Sequence, residues 1–228
     1  MLNLLDWNKY EDYKNRGFNF ICGVDEAGRG PLAGPVYAAA CVLPNNFFLE
    51  GLNDSKKLSP KKREQFYEII TEKALFYAIE FATVEEIDRL NILNASMLAM
   101  RRAVESLMIS PFNLAVLVDG NTVKGFDGWY AEPIVRGDTT CPQIAAASVL
   151  AKVSRDKLCA ELDAQYPQYG FLRHKGYGTK AHMDAIREFG VSEVHRKSFM
   201  KFLSKEQEQL SEETSHDDVS SLTTPPNI

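Results

Sequence analysis

Nothing in this 228-residue sequence approaches the ~20 consecutive apolar residues that a membrane-crossing helix requires. Cysteine is sparse: Cys22, Cys41, Cys141 and Cys159 are scattered, three of them inside apolar stretches, with no close pair of the kind that holds zinc. Buried free thiols in a reducing compartment are therefore expected. The first ten residues lack a basic segment followed by an apolar one, so no secretory signal is expected. The reading is a soluble cytoplasmic protein with no membrane partner. There is also no phosphate-cradling P-loop, no nucleophilic Ser or Cys signature, no histidine pair at metal-ligand spacing and no internal repeat.

An excess of charge is missing from most of the chain too. The formal net charge of −5 comes from 26 basic and 31 acidic residues. Residues 205–228 hold one Lys and six acids, leaving 25 of each sign elsewhere. The acidic balance thus says little against a nucleic-acid partner. Rich in Ser, Thr, Glu, Asp and Pro and poor in apolar residues, 205–228 is expected to be a disordered acidic tail. Residues 1–17 are polar and irregular, an N-terminal extension with room for a short helix. The chain as a whole has the 45% apolar and 25% charged balance of an ordinary globular protein, and 18–204 is expected to form the folded domain.

What is present is organised around Gly23-Val24-Asp25-Glu26-Ala27-Gly28-Arg29-Gly30-Pro31. An apolar run ends in two adjacent carboxylates, then a Gly-Arg-Gly turn, then a second apolar run. Strands are expected over 18–25 and 35–43. Ser59-Pro60 caps a helix over 60–73, and 74–82 reads as a strand. Thr83 and Glu86 form a capping box. Beyond it Leu90, Leu93, Met97, Met100, Val104 and Leu107 recur at steps of three and four, which predicts one long helix. The run 114–118 reads as a buried parallel strand ending in Asp119-Gly120, and 131–135 as a short strand ending in Arg136-Gly137-Asp138. A helix opens at Pro142, small residues in its first turns implying close packing, and breaks at Tyr166-Pro167. A basic glycine-rich loop, 173–178, precedes a helix over 179–189.

Three strand ends therefore carry a carboxylate beside glycine, and open α/β sheets bind ligands outside the carboxyl ends of their strands. Asp25, Glu26, Asp119 and Asp138 are the candidate ligands for two hard divalent cations, since magnesium takes oxygen donors and keeps waters. Asp54, Asp127 and Asp156 are rival acids that spacing does not exclude, although Lys152 and Asp156 also stand at ion-pair spacing along a helix. Lys56-Lys57, Lys61-Lys62-Arg63, Arg173-His174-Lys175 and Arg196-Lys197 are candidate phosphate contacts. Tyr177, between two glycines on a basic loop, suits stacking on a sugar or base. His174, His182 and His195 read as structural or phosphate-contacting.

Taken together these motifs resemble the type 2 ribonuclease H family, ribonuclease HII. The likeness lies in Asp25-Glu26-Ala27-Gly28-Arg29-Gly30-Pro31-Leu32-Ala33-Gly34-Pro35, Leu52 to Leu58, Val118 to Asn121, Gly137-Asp138, Ile144 to Asp156, His174 to Thr179 and His195 to Phe199. These occur in family order over about 18–202, with Arg136 where a Lys is usual. The resemblance implies a ribonuclease H-like α/β fold, a mixed five-stranded sheet flanked by helices, in one catalytic domain with a helical C-terminal portion. It implies an endonuclease using Mg²⁺ or Mn²⁺ on RNA–DNA hybrids and on single ribonucleotides embedded in duplex DNA. The cut falls 5′ of the ribonucleotide and leaves a 3′-hydroxyl and a 5′-phosphate. Asp25, Glu26, Asp119 and Asp138 match the family's catalytic, metal-binding carboxylates. Gly28, Arg29 and Gly30 match the loop that senses the 2′-hydroxyl, Tyr177 the tyrosine that packs on the ribose, and Lys56 a substrate contact.

A non-catalytic nucleic-acid module would not need four converging acids, and a carboxylate-pair glycosidase would not need the basic loops. The nearest alternative is a ribonuclease H restricted to longer hybrids. The tail is expected to be dispensable. A chain ending near Ser204 should melt at the same temperature and cut at the same rate as the full chain, and a loss of either would show that the tail contributes.

Overall fold

The computed structural model describes residues 7–45, 47–200 and 202–203; the acidic tail lies outside the described residues. The chain runs α1 (Trp7–Asn15), β1 (Phe20–Ala27), β2 (Val36–Val42), α2 (Pro60–Lys73), β3 (Phe76–Ala82), α3 (Val84–Leu90), α4 (Ile92–Glu105), β4 (Leu114–Asp119), β5 (Tyr130–Ile134), α5 (Gly137–Thr140), α6 (Pro142–Gln165), α7 (Phe171–His174) and α8 (Lys180–Phe189). Five strands form one mixed sheet in the order β3-β2-β1-β4-β5. β1 to β3 are antiparallel neighbours, while β4 and β5 run parallel to β1. This is the expected mixed five-stranded sheet flanked by helices. Among the described residues no helix is long and apolar enough to cross a membrane.

Side-chain alternation divides the sheet into two apolar faces. Val36, Ala38, Ala40 and Val42 of β2 join Cys22 and Val24 of β1 and Val116 and Val118 of β4 under α4. Ala39 and Cys41 point the other way, against Phe66 and Ile70 of α2 and the alanines of α6. The small residues opening α6 do what their size predicts. A Cβ added to Gly23 of β1 would lie 2.1 Å from the Gln143 carbonyl carbon, backbone against backbone. The far half of α6 anchors a smaller cluster with Tyr169, Phe171 and Ile186, the helical C-terminal portion. α1 ties the N-terminal extension to the sheet: Tyr13 is buried beside Ile21 and Leu117, and its hydroxyl donates to Glu132 at 2.9 Å.

The capping box at Thr83 and Glu86 and the Ser59 cap with Pro60 at the first helical position form as expected. The single long helix does not. Asn91 takes φ +67° and splits it into α3 and α4, its side chain accepting from the Asn94 backbone N–H at 3.2 Å. Asparagine tolerates the left-handed region and caps helices, so it outweighs the continuous apolar spacing around it.

The Gly23 contact yields a stability prediction. Overpacking a core costs about 1–3 kcal/mol and occasionally more, and here the clash is with backbone that cannot rotate away. Gly23→Ala should lower the urea-unfolding free energy by about 3 kcal/mol. A change below about 0.5 kcal/mol, the range of ordinary surface substitutions, would mean that β1 and α6 separate freely.

Candidate active site

The parallel ladder between β1 and β4 ends at Val24↔Val118, while β1 stays paired to β2 as far as Ala27↔Tyr37. Asp25 and Glu26 are thus held rigidly on one flank and open on the other. Asp119, the last residue of β4, lies just past the same ladder end. Asp25 falls on the α6 face and is 5% exposed, with the Ser148 hydroxyl of α6 favouring its charged form and the Glu26 N–H donating to its Oδ1 at 2.7 Å. Asp119 Oδ1 accepts from the Gly137 N–H at 2.8 Å and more weakly from the Asp138 N–H at 3.4 Å. That bond draws Asp138 in. Asp138 sits in the first turn of α5 rather than at a strand end as expected, because Arg136 turns the chain at φ +56° after β5.

Burial raises the pKa of Asp25 well above the usual carboxylate range, and the charges of Glu26 and Asp119 push the same way. Glu26 is raised by burial and by Asp119 against the pull of Arg29, whose Nη1 stands 3.4 Å from Glu26 Oε1. Asp138 is raised by burial, Asp119 and Asp54, and eased by Lys56 and Lys57. The four predicted carboxylates thus act on one another at one end of the sheet. Among the described residues, however, no group of three or more His, Cys, Asp or Glu is drawn into an ion-holding cluster.

The rival acids fall elsewhere. Asp156 pairs with Lys152 at 2.5 Å and Arg63 at 3.7 Å, and Asp127 is exposed in the loop between β4 and β5. Asp54 caps the short turn Ser55–Lys57 by accepting from the Lys56 N–H at 2.9 Å. Ser55 Oγ meets Ser148 Oγ at 2.9 Å. Ser148 therefore holds the loop that brings Lys56 to the site and sits beside Asp25.

Beside the acids lies the Gly28-Arg29-Gly30 turn. Gly28 has φ +100°, and a Cβ there would stand 2.0 Å from Arg155 Nε. A Cβ on Gly30 would stand 3.2 Å from Tyr177 Cε1, so the tyrosine lies on the turn although 147 positions separate them in sequence. Two fully buried arginines set this surface from behind. Arg155 donates to the Lys175 and Ala33 carbonyls at 3.1 and 3.3 Å. Arg196 donates to the carbonyls of Gly28, Arg29 and Gly34 at 2.6, 2.9 and 2.8 Å, and to Pro35 at 3.3 Å.

Arg196 was expected on phosphate and instead lies inside, with 0% exposure. Arg63, expected likewise, donates to the Ser55 and Leu58 carbonyls. The role of Arg155 went unread. Its signal was position: Ser148, Ala151, Arg155, Cys159 and Leu162 recur at core spacing along α6, and an arginine on such a stripe must find buried acceptors.

Residues 22–202 match the family model described as Ribonuclease HII. The chain belongs to the ribonuclease HII family. The ribonuclease HII of Coxiella burnetii (strain Dugway 5J108-111) is 56% identical over 179 residues, covering 78% of this chain and 87% of that protein. The ribonuclease HII of Caldicellulosiruptor bescii is 49% identical over 191 residues, covering 84% and 91%. Ribonuclease H2 from Pyrococcus horikoshii OT3 shares the fold at 24% identity and a TM-score of 0.64, over 79% of this chain and 93% of that one. As a ribonuclease HII the protein is a ribonuclease H hydrolase acting on RNA–DNA hybrids.

The Arg196 clamp is testable. Arg196→Ala leaves three close carbonyls buried without their donor, at about 1–3 kcal/mol each. The variant should lose at least about 3 kcal/mol of stability by chemical denaturation, and Arg196→Lys, with one compact ammonium, should recover less than half. A loss under about 1 kcal/mol for Ala would show that water takes over the carbonyls.

Proposed function

We propose that this ribonuclease H is a divalent-metal-dependent endonuclease that cuts both hybrids and single ribonucleotides embedded in duplex DNA. The cut falls on the 5′ side of the ribonucleotide and leaves a 3′-hydroxyl and a 5′-phosphate. The observation that carries the specificity is the contact of Tyr177 with Gly30 beside the carboxylates. An aromatic ring and a glycine turn with its carbonyls drawn backward by Arg196 form one surface. Its N–H groups, without a partner among the described residues, suit a 2′-hydroxyl, the group that distinguishes RNA from DNA at a single nucleotide. Tyr177, 45% exposed, is open to stack on the sugar.

Asp25, Glu26, Asp119 and Asp138 would hold the metal. The donor set fits: all-oxygen ligands, crowded and raised in pKa by burial and by each other, are what a hard cation such as Mg²⁺ or Mn²⁺ relieves. When bound, such ions supply an activated water and stabilise the departing oxygen of a phosphodiester. Asp25 and Glu26 are fixed by the β1–β2 ladder, Asp138 is oriented through Asp119, and Lys56 and Arg29 offset the charge of the acids and suit the phosphate backbone.

Two outcomes test this reading. Asp25→Asn or Asp138→Asn should remove most turnover with the fold retained; near-normal turnover at saturating Mg²⁺ would refute the ligand set. Tyr177→Ala should lower the rate on an embedded single ribonucleotide roughly tenfold or more and less on a long hybrid, with the Mg²⁺ requirement unmoved. Equal losses on both substrates would remove the specificity role.

Protons compete with the metal, which gives a reading without turnover. A carboxylate whose folded pKa is raised favours folding below its unfolded pKa, and that contribution is lost as pH rises through the folded pKa. A bound cation offsets the loss. The rise in melting temperature on adding Mg²⁺ or Mn²⁺ should therefore grow between about pH 5 and 8, and vanish in Asp25→Asn. The depressed histidines His182 and His195 act equally with and without metal and cancel in the difference. A pH-independent metal effect would contradict the assignment.

A further inference from the structure

Behind Tyr177 lies a group that the carboxylate chemistry does not use. His182 and His195 are 0% and 1% exposed, and their Nε2 atoms face each other at 3.2 Å. Two facing imidazole nitrogens can share one hydrogen bond only if one carries the proton and the other does not. The outer contacts decide which. His182 Nδ1 lies 2.9 Å from the Tyr177 carbonyl, which can only accept, so His182 carries its proton on Nδ1 and offers a bare Nε2. At the other end the Ser192 backbone N–H donates to His195 Nδ1 at 3.0 Å, and the Ser192 hydroxyl lies 2.7 Å away. His195 Nδ1 is therefore bare and its Nε2 holds the proton. The two deductions are independent and agree.

The result is a one-way chain: Ser192 to His195, His195 to His182, His182 to the Tyr177 carbonyl. Burial holds both rings neutral, pushing each down to about 4. His174 stacks flat on His182 at 4.3 Å, and Phe171 meets His182 edge-on and His195 at a tilt. The chain starts on the segment that grips the other half of the substrate surface. Ala33 bridges to His195, the Arg196 N–H donates to the Leu32 carbonyl at 2.8 Å, and the Arg196 side chain holds the Gly28 and Arg29 carbonyls.

We propose that His182 and His195 are positioning residues that set Tyr177 against the Gly28-Arg29-Gly30 turn, coupling the two halves of the ribose-reading surface through a hydrogen-bond chain of fixed direction. Neither ring touches substrate. The proposal rests on the reading of Tyr177 as the sugar-packing residue, so its test separates the two.

An amide at position 182 can imitate either ring nitrogen. His182→Asn places its NH₂ where Nδ1 stood and keeps the Tyr177 bond, whereas His182→Gln places the amide at Nε2 and keeps only the bond to His195. The quantity to read is the ratio of kcat/KM on a single-ribonucleotide duplex to that on a long hybrid, alongside Tm. His182→Gln should lower the ratio roughly tenfold and His182→Asn should restore most of it. In a Tyr177→Ala background neither should change the ratio further, because the chain acts through that residue. His195→Asn, which cuts the same inter-ring link but leaves the His182 bond to the Tyr177 carbonyl, should group with His182→Asn and not with His182→Gln. Equal losses for Asn and Gln, or losses that multiply with Tyr177→Ala, would reduce the pair to packing. A Tyr177→Ala variant with an unchanged ratio would instead overturn the Tyr177 reading. Apart from turnover, ¹⁵N NMR at pH 7 should find His182 protonated on Nδ1 and His195 on Nε2; any other tautomer pair overturns the chain.

Discussion

One close approach governs this molecule: helix α6 lies so near the central strand that only glycine fits between them. Gly23 takes the backbone of Gln143, Ile144 fills the space that a side chain on Gly137 would need, Ser148 meets Asp25, and Arg155 packs on Gly28. These contacts fall in order along a single rigid rod, spaced over twelve residues, or about 18 Å at 1.5 Å per residue. The helix therefore acts as a ruler that sets the carboxylates, the α5 turn and the glycine turn in one frame. A looser contact at Gly23 would shift all of them together.

That frame works against itself electrically. It buries Asp25 and draws Glu26, Asp119 and Asp138 into mutual repulsion, raising the pKa of Asp25, Glu26 and Asp138. Strain of this kind persists only where the surroundings over-determine it. Here they do so with opposite-sign devices placed away from the acids. The Arg102 fork on Glu86 at 2.6 and 2.8 Å closes one end of the core, and two buried arginines donate to backbone carbonyls behind the glycine turn. Stability thus comes from groups beside the site, while the site itself keeps an unmet demand for positive charge.

Local signals were legible where local physics decides. Helix α2 begins at the predicted residue because Ser59 and Pro60 cap it, and it ends at Lys73 as predicted; the β4 strand shows as an unbroken apolar run. The four acids were legible as carboxylates beside glycine at turns, and the family resemblance implied the same four. Asn91 was misread because periodicity counts apolar positions and is blind to one residue in the left-handed region. Asp138 sits in a helical turn, its N–H donating to Asp119, nineteen positions away. Arg196 reads as a surface cation because sequence shows charge but not acceptors, while His182 and His195 read as either structural or phosphate-contacting. Each is buried against partners that only the folded chain supplies.

The central claim is that a glycine turn and a tyrosine beside four carboxylates at the sheet's end read a single ribose. It is tested most directly by end-labelled DNA duplexes carrying one ribonucleotide or none, incubated with Mg²⁺ or Mn²⁺ and sized at nucleotide resolution. The account predicts one cut, immediately 5′ of the ribonucleotide, leaving a 3′-hydroxyl that a polymerase extends, with no cut in the all-DNA duplex or under chelation. Cleavage that requires a run of ribonucleotides, falls elsewhere, or proceeds without a divalent ion would contradict it.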